Sequence, residues 1–395
     1  MLGPYGNTWF DTPSFNRLAA DSKVYHQCIA QTPNLKRAYQ SMWSGEHPAS
    51  LSEREPSGSA MTIPGVEETV FLTDRPTLPM AGIETLFDRV IQVGPPQNSS
   101  ELMDSVEATT LARFFAESID WIRNLPESSL FWLDCQGMFG SWDAPYHFRS
   151  ANVDTDDPEA PLFCQPPSGP FCEVSDDPDL LLGYQQAYAG QVMLLDQCLG
   201  ILLDESESLG RLQHTLICLY ASRGYPLGEH GVVGGDPSLL NSESIHVPLM
   251  IRWPGGLRAA TRNHQLVHPG MLPHILQAWF EGDPLVGDTE APFAPPSECA
   301  GESLNRKTEI IFSVCDSEGK RSESLQTHAW KLIRSNATRL YVRPDDLWEV
   351  NDVHSRCMNI TNSLEALLDA GVKRLLAGEP FLEKPLADEL AWGIG

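Results

Sequence analysis

Two acids and one arginine stand where a chain of this kind can do chemistry. In "WLDCQGMFGSWDAP" Asp134 closes an apolar run and Asp143 follows in the next loop. If the fold turned these carboxylates toward each other they would form a pair for acid/base work; the plainer reading is one strand-end acid and one loop acid. In "TLICLYASRGYPLGEHGVVG", residues 215–234, an apolar run breaks at Arg223, where a strand end more usually offers an acid. A guanidinium is permanently cationic and presents planar, multiple donors, so Arg223 can hold a carboxylate or oxyanion but cannot generate a nucleophile. The alternative is a solvent-facing arginine on a drifted loop.

The elements that position these residues follow from the apolar pattern. Runs at 69–73 (TVFLT), 89–93 (RVIQV), 129–135 (SLFWLDC), 214–221 (HTLICLYA), 246–253 (HVPLMIRW) and 309–315 (EIIFSVC) predict strands. Their near-continuous apolar character predicts a sheet covered on both faces. The segments "AWKLIRS" and "TRLYVRP", within 329–344, alternate and predict a small antiparallel addition. Helices are expected after Thr12-Pro13, around 101–125 and around 180–205. In the last, Tyr184, Tyr188, Val192, Leu195, Leu199 and Leu202 recur at helical spacing, as core rather than ligand box. Strands alternating with helices predict an α/β layered domain. The acidic, proline-rich stretch at about 154–179 and a second loop at 288–303 are excursions from one domain, and no internal repeat is found.

Composition bounds the partners. The chain has 395 residues, 42% of them apolar, and a net charge of −26, which argues against nucleic acid and anionic membrane surfaces while leaving room for a small anion in a local cationic pocket. The nine cysteines are odd in number, lack C-x-x-C spacing and read as buried thiols. Cys164 and Cys172 can pair if the compartment is oxidising. The start, "MLGPYGNTWF", has no basic n-region and no apolar h-region, which favours a cytoplasmic location, and no run reaches the ~20 apolar residues of a membrane span.

The order of segments resembles the sulfatase family, a branch of the alkaline phosphatase superfamily. "LGPYGNTWFDTPSFNRLAADSKVYHQCIAQTPNLKRAYQSMWSGEHP" is similar to its amino-terminal pattern of G-x-Y-G, T-P-N-L-D-x-L-A, the nucleophile signature C/S-x-P-S-R and T-G-x-x-P. "YQQAYAGQVMLLDQCLGILLDE" is similar to the family's Y-x-x-x-V-x-x-x-D-x-x-x-G helix. "GEHGVVGG" with "ESIHVPLMIRWPG" matches its G-E-H-G and R-V-P-L-I-I-R-x-P-G block, and "LYVRPDDLWEVND" its closing L-Y-D-L-x-x-D-P-x-E. The resemblance implies a three-layer α/β/α sandwich with a mixed, mostly parallel sheet of alkaline phosphatase type. It also implies a small C-terminal antiparallel element, with residues 1–305 as the main domain and 306–395 completing it.

A sulfatase of this family uses a Cys or Ser converted to a formylglycine hydrate beside a divalent cation held by hard oxygen ligands. Carried over by register, the nucleophile seat falls on Leu35 and the signature arginine on Tyr39; a gapped alignment that gives Arg37 the arginine seat puts Pro33 in the nucleophile seat. Cys28 lies seven residues too early and reads as a buried thiol. "ASRG" stands where the family has S-D-H-G or S-D-N-G, placing Ser222 and Arg223 on the cation-ligand seats. The P-H-x-P histidine falls on Asp143, the G-K lysine on Gly235, and the arginine of "IRVP" on His246. His230 of "GEHG" is present, for loop structure or for chemistry.

The resemblance thus implies a family member without the formylglycine signature and with its calcium site lost, and no cofactor is expected. Lys36 and Arg37, on the former nucleophile loop, join Arg223 and His230 as candidates to bind a small oxyanion or a sulfated or phosphorylated ligand, unless simply solvated. An ester hydrolase using Asp143, His230 and Arg223 is the alternative. The family's first strand, with its paired acids, is not matched. Either another segment fills its place, or, as the sequence leads us to expect, the biological chain starts upstream of Met1.

Overall fold

The apolar runs become two central sheets, and their side chains rather than a shared strand join them. The computed structural model describes residues 1–51, 65–95, 101–171, 177–235, 238–282, 309–317, 319–382 and 385–392. One sheet has the order β6 (Ile217–Tyr220), β8 (Leu249–Arg252), β1 (Lys23–Cys28), β9 (Thr261–Val267); β8 runs antiparallel to both β6 and β1, and β9 parallel to β1. The other is all parallel, with β2 (Glu68–Thr73) between β3 (Arg89–Gln92) and β4 (Ser129–Asp134). Val70, Phe71 and Leu72 of β2 are buried, as a central strand covered on both faces requires.

β4 and β6 each end their sheet. Among the described strands none hydrogen-bonds to their other edges. Aromatic rings occupy the junction: Trp132 of β4 and Tyr220 of β6 lie 6.0 Å apart edge to face, and Trp132 also meets Tyr39 and Trp43 of the helix Leu35–Ser44. That helix, capped by the Asn34 side chain accepting from the Arg37 amide at 3.1 Å, closes over the junction.

The helix Pro178–Ser208 runs behind both sheets. Its Val192 and Leu199 are buried and Tyr184, Tyr188, Leu195 and Leu202 pack beside them, so the periodic stripe is core. Asp196 accepts from the Ser14 and Phe15 amides at 3.1 and 2.8 Å, satisfying the open N-terminus of the helix Pro13–Ala20. Four residues on, Gly200 allows the close approach: a Cβ there would lie 2.6 Å from Ser14 Oγ. The D-x-x-x-G spacing is therefore a helix-docking device.

The C-terminal element is larger than the sequence led us to expect. "EIIFSVC" enters not the central sheet but a four-stranded antiparallel meander of β10 (Ile311–Ser317), β11 (Lys320–Gln326), β12 (Trp330–Arg334) and β13 (Thr338–Val342). Its apolar face packs on the helix Met358–Leu376. β1 and β9 were not foreseen as strands, because the polar side chains of "KVYHQC" and "TRNHQLV" hide the period on and beside an exposed sheet edge. A two-stranded ribbon pairs β5 (Gly169–Pro170) with β7 (Val232–Val233). Cys172, the loop at 288–303 and the 305/306 boundary lie outside the described residues.

Candidate active site

The parallel register of β2 and β4 puts Thr73 opposite Asp134, and both strands end there. The Thr73 hydroxyl donates to Asp134 Oδ2 at 2.8 Å and accepts from the Arg75 amide at 3.0 Å. The Arg75 side chain is thereby turned back, and its Nε donates to the same Asp134 oxygen at 2.9 Å. Tyr39 donates its hydroxyl to Asp134 Oδ1 at 2.9 Å. Both oxygens of this buried carboxylate are thus occupied, and Arg75 carries its counter-charge.

Asp74, next to them, accepts from the Gln136 amide at 2.7 Å. Burial pushes its carboxyl up to about 6, against the pull of the Gln136 amide and of Arg75, with the Asp134 charge adding to the rise. Cys135, beside Asp74, is held well above the ordinary thiol range by burial first and the Asp74 charge second.

From the other sheet, β6 delivers Ser222 and Arg223. The turn after it is pinned by the Gly224 amide donating to Ser244 O at 2.8 Å. Only glycine fits at 224, since a Cβ would stand 2.0 Å from Glu243 O. Arg223 is half-buried, its guanidinium carbon 3.9 Å from the centre of the Phe139 ring. Among the described residues no carboxylate pairs with it. Burial, and then the nearby Arg75 charge, lower it to about 10. Ser222 lines a cavity of about 20 Å³ with Tyr39 and Tyr220, roughly the size of one water.

The remaining sequence candidates lie elsewhere. Asp143 is fully buried and accepts from the Thr110 amide and hydroxyl, both at 2.7 Å, at the start of the helix Thr110–Asn124. It shares no partner with Asp134, as the plainer reading of one strand-end acid and one loop acid has it, and the acid that stands near Asp134 is Asp74. His230 commits both ring nitrogens, Nδ1 to Glu243 at 2.7 Å and Nε2 to the Glu349 carbonyl at 3.1 Å, in a network that includes the buried Lys331–Glu349 ion pair. His246 faces the His26 carbonyl at 2.6 Å. Arg37 pairs with Asp316 at 2.8 Å, and Lys36 is exposed. Leu35 opens the helix Leu35–Ser44 and packs against the core, while Cys28 is fully buried, with its thiol pushed up by that burial. Cys164 is a free buried thiol. Gly235 packs on Phe139, where a Cβ would be 2.7 Å from the ring.

Sequence reading missed Asp74 and Arg75. The signal was present in "TVFLTDRP", an acid and a base directly after an apolar strand, the position where open α/β sheets collect chemistry.

Comparison with known proteins fits this architecture. The sulfatase family profile matches residues 1–281. The chain is 33% identical over 186 residues, 45% of its length, to an N-acetylglucosamine-6-O-sulfatase of Bacteroides thetaiotaomicron, and the match spans only 32% of that protein. A solved structure of a protein in complex with its substrate D-glucosamine-2-N,6-O-disulfate superposes with a TM-score of 0.70 at 14% identity, covering 97% of each chain. The phosphonate monoester hydrolase of Agrobacterium radiobacter superposes with a TM-score of 0.70 at 14% identity over 93% of this chain and 92% of its own. At such identities these superpositions establish the α/β fold of alkaline phosphatase type and nothing further. Among the described residues no helix is long and apolar enough to cross a membrane.

Proposed function

The chain belongs to the sulfatase family, and from that premise we propose that it binds a sulfated or phosphorylated ligand through Arg223 without the family's metal-dependent chemistry. One observation carries the reading: a half-buried guanidinium with no carboxylate partner among the described residues stands at the end of β6, stacked on Phe139. A desolvated cation gains most from an anion brought to it, and the neighbouring guanidinium, Arg75, is already paired with Asp134. A protein of the same fold is solved with D-glucosamine-2-N,6-O-disulfate as its substrate, and a sulfate ester is a fitting ligand here.

The donor set does not fit a dication. A hard cation needs several oxygen ligands free to turn toward it. Asp134 gives both oxygens to Tyr39, Thr73 and Arg75, Asp74 accepts from the Gln136 amide, and two guanidinium groups stand nearby. The family resemblance assigns the nucleophile seat to Leu35, whose alkyl side chain can neither attack sulfur nor be oxidised to an aldehyde.

A second reading rests on Asp74. A carboxyl raised to about 6 is suited to take a proton from water near neutral pH, with Arg75 and Arg223 to stabilise the charge on an ester. The experiment is an aryl sulfate and aryl phosphate assay with and without calcium, beside thermal melting with added sulfate. Binding without turnover supports the first reading. Turnover lost in Asp74→Asn supports the second, and calcium-dependent turnover overturns both.

A further inference from the structure

A second cationic site lies on the edge strand of the larger sheet. A cleft of about 370 Å³ opens along β9, lined by Lys23, Arg258, Arg262, Asn263, His264 and Gln265 among others, with no carboxylate among the described residues of its lining. In a chain of net charge −26 such a concentration of positive groups is local and confined.

The backbone shapes it. β1 and β9 pair in register from Lys23↔Thr261 to Tyr25↔Asn263, then resume at Gln27↔Leu266. Two residues of β9, His264 and Gln265, therefore stand opposite His26 alone, a bulge that re-aims both side chains. The His264 ring stacks on the His26 ring at 4.6 Å and 4°. Arg262 Nη1 donates to His26 Nε2 at 2.7 Å and to the Pro4 carbonyl at 3.0 Å. Since a guanidinium only donates, His26 accepts through Nε2 and is neutral, leaving the Arg262 charge without a counter-ion from that ring. The buried Gln265 Oε1 has no hydrogen-bond partner among the described residues, so an acceptor for a ligand hydroxyl stands beside the cations.

We propose that this cleft binds a tetrahedral oxyanion, the sulfate or phosphate group of a small hydroxylated molecule, with Arg262 on the anion and Gln265 on a hydroxyl. The rest of the chain is too acidic to welcome a long polyanion, and the cleft volume suits a monosaccharide-sized ligand. The site is separate from Arg223. β8 and β1 lie between β6 and β9, and because β6 and β1 both run antiparallel to β8, Lys23 and Arg262 sit where β1 and β9 begin while Arg223 follows the end of β6. This proposal does not depend on the function assigned to that other site.

The test is titration of the full chain with inorganic phosphate and, in a parallel arm, inorganic sulfate at constant ionic strength, by calorimetry and by NMR of the histidine ring protons. Saturable binding that moves the His26 and His264 resonances, persists in Arg223→Ala and weakens about 10-fold in Arg262→Gln is expected, the loss of one charge-assisted contact. The exposed-site variant His264→Ala, which keeps the strand pairing, weakens it a few-fold. A stronger response in one arm assigns the preferred group. Histidine resonances that stay still through both titrations, or affinity unchanged in folded Arg262→Gln and His264→Ala, overturn the proposal.

Discussion

The guanidinium of Arg223 rests 3.9 Å above Phe139, and Phe139 rests where a side chain on Gly235 would stand. Two seats that the family resemblance assigns to a cation ligand and to a lysine are therefore coupled through one aromatic ring. Gly235 leaves room for Phe139, and Phe139 provides the face on which Arg223 lies. Restoring a side chain at 235 pushes the ring and unseats the arginine.

That coupling predicts a graded series. Sulfate or phosphate raises the melting temperature of the wild type by mass action, and Arg223→Ala removes the part of the rise owed to this site. Gly235→Ala and Phe139→Leu weaken it by about 0.5–1 kcal/mol, the scale of an arginine–ring contact. A melting shift identical in all four proteins would sink the Arg223 pocket.

Asp134 is a structural carboxylate in this arrangement. Its removal in Asp134→Ala leaves Arg75 half of a buried pair and frees the Tyr39 hydroxyl, at a cost of about 3–5 kcal/mol. Urea unfolding measures this directly, and a cost below about 1 kcal/mol contradicts the geometry. Arg75→Met alone is similarly costly, whereas the double variant with Asp134→Leu recovers part of the loss.

Asp74 sets a pH dependence. Its folded value, about 6, lies above the ordinary 3.8 of an aspartate, so the folded state binds the proton more tightly. Stability from this group is greatest at low pH and falls as pH rises from about 4 through 6, by roughly 2–3 kcal/mol from a shift of this size. Asp74→Asn removes that slope and is more stable than the wild type at pH 7. An identical slope from pH 4.5 to 7 in the two proteins counts against it.

His230 acts in the same direction, at higher pH. Its partner Glu243 raises it above the ordinary histidine value, so its contribution is fully present below about 6.5 and is lost as pH rises through the folded value. Its backbone is left-handed at φ 52°, and it holds the carbonyl of Glu349, itself at φ 56°. His230→Gln flattens the stability profile between pH 6 and 8 without abolishing sulfate binding at Arg223. Loss of that binding would move His230 into the anion site.

Lys331 and Glu349 are both fully buried and 2.6 Å apart. Lys331→Met leaves the carboxylate only the more distant Arg343, at 3.9 Å, as counter-charge and costs about 3 kcal/mol, while adding Glu349→Leu restores much of it. Chemical unfolding of both variants distinguishes this from a surface pair, for which either change is close to neutral.

Much of the architecture was legible in residue order. Apolar runs at 69–73, 129–135 and 214–221 are periodic enough to become β2, β4 and β6, and the stripe from Tyr184 to Leu202 is a core face because helical spacing permits little else. The family was legible too, since its blocks occur in order. The family resemblance assigns its functional seats to Leu35, Tyr39, Ser222 and Arg223 from residue order alone, without any coordinates. What the sequence could not supply was company. Asp134 and Asp143 are nine positions apart and share no partner, whereas Asp74, sixty residues from Asp134, stands beside it, because parallel strands bring together their ends and not their neighbours in the chain. The cations of β9 stayed hidden for the same reason: a bulge and a sheet edge, both products of pairing, decide where Arg262 and His264 point. Local pattern is written in short-range spacing, but which charges meet depends on long-range register, and only the folded chain sets that.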